Sequence, residues 1–327
     1  MRELTYAEAI REALHDEMAR DDRVFLIGED IGHRGGIFAV TKGLLEMYGH
    51  ERVRDTPIQE LSLMAAAVGA AIAGMRPVVE IMFNDFITLA MDQIVNEAAK
   101  MPYMTGGQVE IPLTVRTTIG PARSGAAQHS QTLYAWFCHV PGLKVAVSAT
   151  PYDAKGLTIS ALRDRNPVIL FEDKSLYSNR GPVPEGDHSI PLGKADVKRE
   201  GHDVTLIGLA RMVHLGLAAA DRLAEKGISA EVIDVRSLFP LDTETLVHSA
   251  MKTGHVVLLD MAVERYGVMG ELASAIYEGA FGYIDTPIMR MGARPVPIPF
   301  SPALENGVLP TVDNVVAKVE IMLAGGL

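Results

Sequence analysis

The 327 residues predict an α/β protein built as two parallel-sheet domains, on three observations. The chain is longer than the ~250–300 residues at which a single hydrophobic core stops growing. Short apolar runs alternate with amphipathic stretches across short joins, which implies parallel strands and right-handed crossovers. The alternation breaks once, at 178–193, in a run holding Gly181, Pro182, Pro184, Gly186, Pro191 and Gly193, the best candidate for a linker. Domains are therefore expected at 1–180 and 197–327, joined by 181–196.

Thr5 and Glu8 form a capping box, and Ile10, Leu14 and Met18 fall four residues apart, so an amphipathic helix comes first. A strand at 24–27 stops at Gly28-Glu29-Asp30. The next loop carries Gly32, Gly35 and Gly36, but the chain contains neither G-x-G-x-x-G nor a Walker pattern, so a mobile turn is expected rather than a phosphate cradle. At 55–75 stands DTPIQELSLMAAAVGAAIAGM, where Thr56 and Gln59 fit a second capping box and Pro57 a first helical position. Its small residues, Ala65 to Ala67, Gly69 to Ala71, Ala73 and Gly74, predict a helix packed close to its neighbours. Glu60, at the mouth of that helix, has two readings: it complements the helix dipole, or it is a partly desolvated acid or base.

A strand at 77–82 runs into Phe83-Asn84-Asp85-Phe86 and a helix lasting to about Lys100, on which Asp92 and Glu97 read as a solvated face. A strand at 112–116 opens a glycine-bearing loop ending in Gln128-His129-Ser130-Gln131. Such loops, after the carboxyl end of a parallel strand, are where ligands sit in open α/β sheets. His129 is thus a candidate catalytic group as well as a capping or core histidine. A strand at 143–147, a helix at 150–163 and a strand at 167–171 follow. Beyond the break come strands at 204–207, 230–235, 256–260 and 288–291, with helices at 212–225, 242–252, 269–278 and 312–322. This second half has scattered histidines and no H-E-x-x-H, Cys/His cluster or G-x-S-x-G, so docking or dimerisation is its expected role.

A formal charge of -11 without Lys/Arg blocks argues against nucleic acid or an anionic membrane as partner. Cys138 is the single cysteine, which rules out an intrachain disulfide and fits a reducing compartment. The N-terminus reads as mature protein, and the longest apolar run, 61–75, falls short of the ~20 residues that span a bilayer. A cytoplasmic protein is expected.

Several motifs together are more specific than any alone: Gly28-Glu29-Asp30, Arg54 to Ile58 with Glu60, Gly74-Met75-Arg76-Pro77, Phe83 to Phe86, Ala127 to Gln131, His139 to Val145, Arg163 to Val168, and Pro297 to Ser301 with Leu304-Glu305. Over nearly its whole length the chain resembles the beta subunit of thiamine-diphosphate-dependent dehydrogenases, the first components of pyruvate and other 2-oxo acid dehydrogenase complexes and of acetoin dehydrogenases. The resemblance implies a pyrimidine-binding domain followed by a transketolase-type C-terminal domain. It makes Glu60 the acid facing the aminopyrimidine ring of thiamine diphosphate, where a carboxyl hydrogen-bonded to the ring favours the tautomer that activates the thiazolium carbon. It makes Phe86 the stacking aromatic, Met82 an apolar neighbour and His129 the active-site histidine that handles intermediates and acyl transfer to lipoamide. Glu29 and Asp92 match acids between paired active sites, with a plain salt bridge as the alternative. Backbone oxygens around Leu113, Ala161, Leu162, Asp164 and Asn166 match a potassium site of some relatives.

The family's Gly-Asp-Gly diphosphate and magnesium motif is missing, and Gly186-Asp187-His188 does not replace it. The resemblance therefore implies half a cofactor site, an obligate alpha subunit carrying the magnesium, an α2β2 heterotetramer and a lipoyl acyltransferase core. One departure is Asp260-Met261-Ala262 where relatives have Asp-Glu-Ala, which puts a contact of that glutamate in doubt. The expected reaction is oxidative cleavage of acetoin or decarboxylation of pyruvate, with acetoin favoured by Arg116 to Gly120 and Ala127 to Gln131. The alternatives are a branched-chain 2-oxo acid enzyme or a catalytically silent assembly subunit; a nicotinamide-dependent oxidoreductase predicts a dinucleotide fingerprint that is not found.

Overall fold

The computed structural model describes residues 1–326. Two compact units emerge, one of Met1–Ile119 and Trp136–Leu192, the other of Gly120–Ala135 and the chain from Gly193 onward.

The first unit carries strands β1 (Arg2–Thr5), β2 (Val24–Gly28), β3 (Val53–Asp55), β4 (Arg76–Ile81), β5 (Thr114–Ile119), β6 (Lys144–Ser148), β7 (Val168–Asp173) and β8 (Arg180–Val183). Its helices are α1 (Tyr6–Arg20), α2 (Leu44–Tyr48), α3 (Glu60–Ile72), α4 (Met101–Met104) and α6 (Pro151–Arg163), with α5 (Tyr134–Cys138) where the chain re-enters this unit. Strands run β6-β7-β5-β4-β2-β3, all parallel, with β5 buried along its length. The capping box that starts α1 forms as expected: the Thr5 amide donates to Glu8 at 2.7 Å and the Glu8 amide to Thr5 Oγ1 at 3.2 Å. Ile10, Leu14 and Met18 then join Val24, Leu26 and Val78 in one core.

Four local expectations need correction. The second capping box does not form: α3 begins at Glu60, and its N-cap, Gln59, makes no side-chain cap bond. The Thr56 amide, which the Gln59 side chain would accept in such a box, instead donates to Gly28 O at 2.9 Å, extending the β2–β3 pairing. The helix to Lys100 is broken into a 3₁₀ turn (Phe86–Ala90), a π-helical turn (Gln93–Ala98) and α4. The glycine loop after β2 is tied down, by Gly36 N to Asp30 O at 2.9 Å and Thr41 Oγ1 to Ile31 O at 2.6 Å. The small residues of α3 are only partly packed within the chain: Ala67 and Ala71 are buried, whereas Leu61, Ala65, Ala66, Gly69 and Ile72 are exposed.

The Pro/Gly-rich run is more structured than a free linker. It contains β8, paired antiparallel with β1, and the buried Lys155 ammonium donates to Pro184 O at 3.1 Å and Gly186 O at 2.7 Å.

The second unit holds β9 (Asp196–Arg199), β10 (Val204–Gly208), β11 (Ala230–Asp234), β12 (Ser237–Phe239), β13 (Val256–Val263) and β14 (Met289–Ala293). Its helices are α7 (Arg211–Ala224), α8 (Thr243–Thr253), α9 (Val268–Ala280), α10 (Pro302–Asn306) and α11 (Val312–Leu323). The sheet order is β14-β13-β10-β11-β9, parallel except for β9. The short charged edge strand β9 lacks an apolar run, which hid it from the periodicity. Among the described residues no helix is long and apolar enough to cross a membrane.

Candidate active site

Two acids meet where the first sheet's carboxyl end faces the start of α3. Glu29 follows the last residue of β2, and Glu60 opens α3, which packs on β4 and on the 3₁₀ turn that starts at Phe86. Glu60 is 5% exposed and Glu29 9%. The Gln59 amide donates to Glu29 Oε1 at 3.2 Å. Burial, and then the neighbouring charge of Glu60, push the Glu29 carboxyl up, only partly offset by that amide. The protonated form of Glu29 is favoured accordingly.

Beside the pair stands an aromatic wall. Thr118 Oγ1 donates to Met82 O at 2.6 Å and the Asn84 amide to Thr118 O at 2.9 Å, fixing the turn after β4. Phe83 meets Phe86 edge to face at 6.2 Å and Phe38 at 6.0 Å, while Phe38 stacks on Tyr177 at 4.8 Å. The Lys174 ammonium lies 5.2 Å from the Phe83 ring centre. Met82 and Phe86 are only half-buried, so both keep accessible surface in the chain.

Beneath the wall is a charged cluster that reading the sequence missed. Arg116 forks onto Glu172 at 2.7 and 2.9 Å and reaches Glu80 at 2.7 Å, while Tyr177 donates to Glu172 at 2.5 Å. Burial raises Glu80 despite Arg116. The available signal was register: Arg116 in β5 is the Cα partner of Glu80 in β4, and Glu172 in β7 is the partner of Thr118. Strand order is needed to see it.

The remaining candidates are dispersed. His129 belongs to the second unit, half-buried at the end of a 3₁₀ turn (Ala127–His129). Asp92 is exposed and accepts from Asn96 Nδ2 at 2.6 Å, as a solvated face would. At the turn after α6, Arg76 donates to Leu162 O at 2.6 Å and to Asp164 O at 2.8 Å. Leu113 O accepts from the Val168 amide at 2.9 Å and Ala161 O from the Asp164 amide at 3.2 Å. Lys144 pairs with the Asp164 carboxylate at 2.5 Å, which lies below the usual carboxylate range, its burial outweighed by Lys144 and the Asn166 amide. Backbone oxygens do gather there, but two of them already face a guanidinium. Met261 is 2% exposed and packs against Gly120, where an added Cβ would lie 2.4 Å from its Sδ.

Two family models match the chain: the transketolase pyrimidine-binding domain over residues 2–180 and the transketolase C-terminal domain over residues 193–315. The chain is 46% identical to the acetoin:2,6-dichlorophenolindophenol oxidoreductase subunit beta of Bacillus subtilis (strain 168), covering 97% of this chain and 96% of that protein. It is 44% identical to the 2-oxoisovalerate dehydrogenase subunit beta of the same organism, covering 97% of each. With the mitochondrial pyruvate dehydrogenase E1 component subunit beta-1 of Arabidopsis thaliana it shares 42% identity over 96% of this chain and 88% of that one. Among solved structures, a split-gene transketolase described as an inactive beta4 tetramer superposes with a TM-score of 0.78 at 26% identity, covering 98% of both chains.

Proposed function

This chain belongs to the transketolase-like family of thiamine-diphosphate-dependent dehydrogenase beta subunits, and from that membership we propose that it oxidatively cleaves acetoin or decarboxylates pyruvate, together with an alpha subunit. The observation that carries the reading is the buried Glu60 beside Glu29 at the start of α3, with Phe86 half-exposed on the element α3 packs against. A buried acid pair next to an accessible aromatic fits the pyrimidine half of thiamine diphosphate. Bound there, the cofactor would supply a nucleophilic carbon, the chemistry that side chains alone lack.

The chain's own residues then have distinct tasks. Glu60 holds a proton at its carboxyl toward the pyrimidine ring, with Glu29 keeping a second acid close by. Phe86 and Met82 orient the ring and exclude water. The His129 imidazole gives or takes a proton during acyl transfer, as a side chain with one donor and one acceptor nitrogen can. Residues 1–180 act as the pyrimidine domain, 181–196 as the join, and 197–327 as the domain for dimerisation and core docking.

The diphosphate and magnesium are assigned to the alpha subunit, since this chain lacks the Gly-Asp-Gly motif. The exposed face of α3 with Leu61, Ala65, Ala66, Gly69 and Ile72 supports a close-packed subunit contact, consistent with α2β2. The acyl acceptor is the lipoyl group of an acyltransferase core. The single cysteine, Cys138, allows no intrachain disulfide, which suits a cytoplasmic setting. Potassium fits only in part, because Arg76 already donates to the oxygens of Leu162 and Asp164. A melting temperature that rises when potassium replaces sodium supports the site; an unchanged one removes potassium from the reading.

The test is co-expression with the alpha subunit and dye reduction with thiamine diphosphate, using acetoin, pyruvate and branched-chain 2-oxo acids. Acetoin or pyruvate should give the highest kcat/KM. A branched-chain acid is the second reading, supported by the 2-oxoisovalerate relative at 44% identity. Glu60→Gln in the complex should lower the rate by roughly 10²–10⁴-fold. Wild-type turnover by that variant would exclude the role given to Glu60.

A further inference from the structure

The loop that carries His129 is strained, and strain needs an anchor. Arg123, Ser124 and Ala126 have φ of 54°, 56° and 57°. Side-chain-bearing residues are disfavoured in this region and persist only where their surroundings enforce them. At the loop's start, the Gly120 amide donates to Gln131 O at 3.1 Å, and Met261 and Arg211 crowd the space a Gly120 side chain would need. At its end, the fully buried Tyr134 donates its hydroxyl to Asp260 Oδ1. That same oxygen accepts the Ala262 amide at 2.9 Å. Asp260 is itself fully buried in β13, and its Oδ2 has no partner among the described residues.

We propose that Tyr134 and Asp260 are positioning residues for His129: the phenol-to-carboxyl bond pins the end of the strained loop to β13 and thereby sets where the imidazole is presented. This rests on the reading that His129 serves acyl transfer. It also gives the departure at Met261 a local meaning, since the thioether packs inside the second unit against the neck of the same loop. Tyr134 touches no reacting atom in this scheme; it acts through His129.

The test uses the co-expressed α2β2 complex with thiamine diphosphate, a lipoylated domain as acyl acceptor, and dye reduction as the parallel assay. Tyr134→Phe, which removes one oxygen, should slow acylation of the lipoylated domain about tenfold while dye reduction stays within about twofold. Because the two residues act as one unit, Tyr134→Phe combined with His129→Ala should be no slower than His129→Ala alone. Asp260→Asn keeps an oxygen for both donors and should retain near-normal acylation. Trypsin should cut after the exposed Arg123 faster in Tyr134→Phe than in wild type, a readout independent of activity. Equal cutting rates, multiplicative losses in the double variant, or an Asp260→Asn as impaired as Tyr134→Phe would each overturn the pin. Should His129→Ala acylate normally, the reading of His129 fails, and the pin with it; should His129→Ala be slow and Tyr134→Phe normal, only the pin fails.

Discussion

Glu29 shows how a functional position opposes stability. Its carboxyl is raised by burial and by Glu60, so the folded chain binds that proton more tightly than the unfolded chain, whose glutamates titrate near ~4.3. Its contribution is fully present below that unfolded value and is lost as pH rises through the higher folded value. Glu29→Gln should therefore raise the melting temperature of the chain at pH 7 to 8, with the gain vanishing at pH 4. Calorimetry across that range checks it, and a gain independent of pH would mean that another property of the side chain is responsible. Arg116 makes the complementary point. Its fork onto Glu172 and its bond to Glu80 neutralise acids that burial would otherwise leave stranded.

At the scale of elements, the neck of the His129 loop depends on a glycine for two reasons at once. Gly120 has φ 79°, and an added Cβ would lie 2.4 Å from Met261 Sδ. Gly120→Ala should cost roughly 1–3 kcal/mol from backbone strain and overpacking, read as a lowered denaturation midpoint with unchanged m-value. Pairing it with Met261→Ala, which frees the space but leaves the φ, should recover part of that loss; no recovery would mean that the backbone strain alone decides. The helix at α3 teaches a different lesson. Thr56, Pro57 and Gln59 satisfy every local rule for a capped start, yet the Thr56 amide that the box would use is taken by Gly28 O of β2, and the helix starts only at Glu60. Local capping signals compete with strand pairing, and the competition is settled by residues that are distant in sequence.

For the whole molecule, the exposed apolar face of α3 and the missing diphosphate motif both point to a chain that completes its site with a partner. The expected outcome is that the purified beta chain shows no dye-linked turnover, and that light scattering finds α2β2 only after co-expression with the alpha subunit. Turnover by the isolated chain would contradict the divided cofactor site.

What the sequence by itself determined was largely what local rules and chemical identity can encode: the alternation of strands and helices, the capping box at Thr5 and Glu8, and the family, through motifs around Glu60, Phe86 and His129. Short strands such as β3, β8 and β9 escaped it because a few residues cannot carry a period. Only the tertiary structure decided that Glu29 feels the charge of Glu60 and accepts the Gln59 amide, that Arg116 bridges acids from two neighbouring strands, and that Tyr134 reaches Asp260 from the far side of the sequence. The physical reason is the same in each case. Strand order and crossover direction set these contacts, and both are collective properties of the folded sheet rather than of any segment within it.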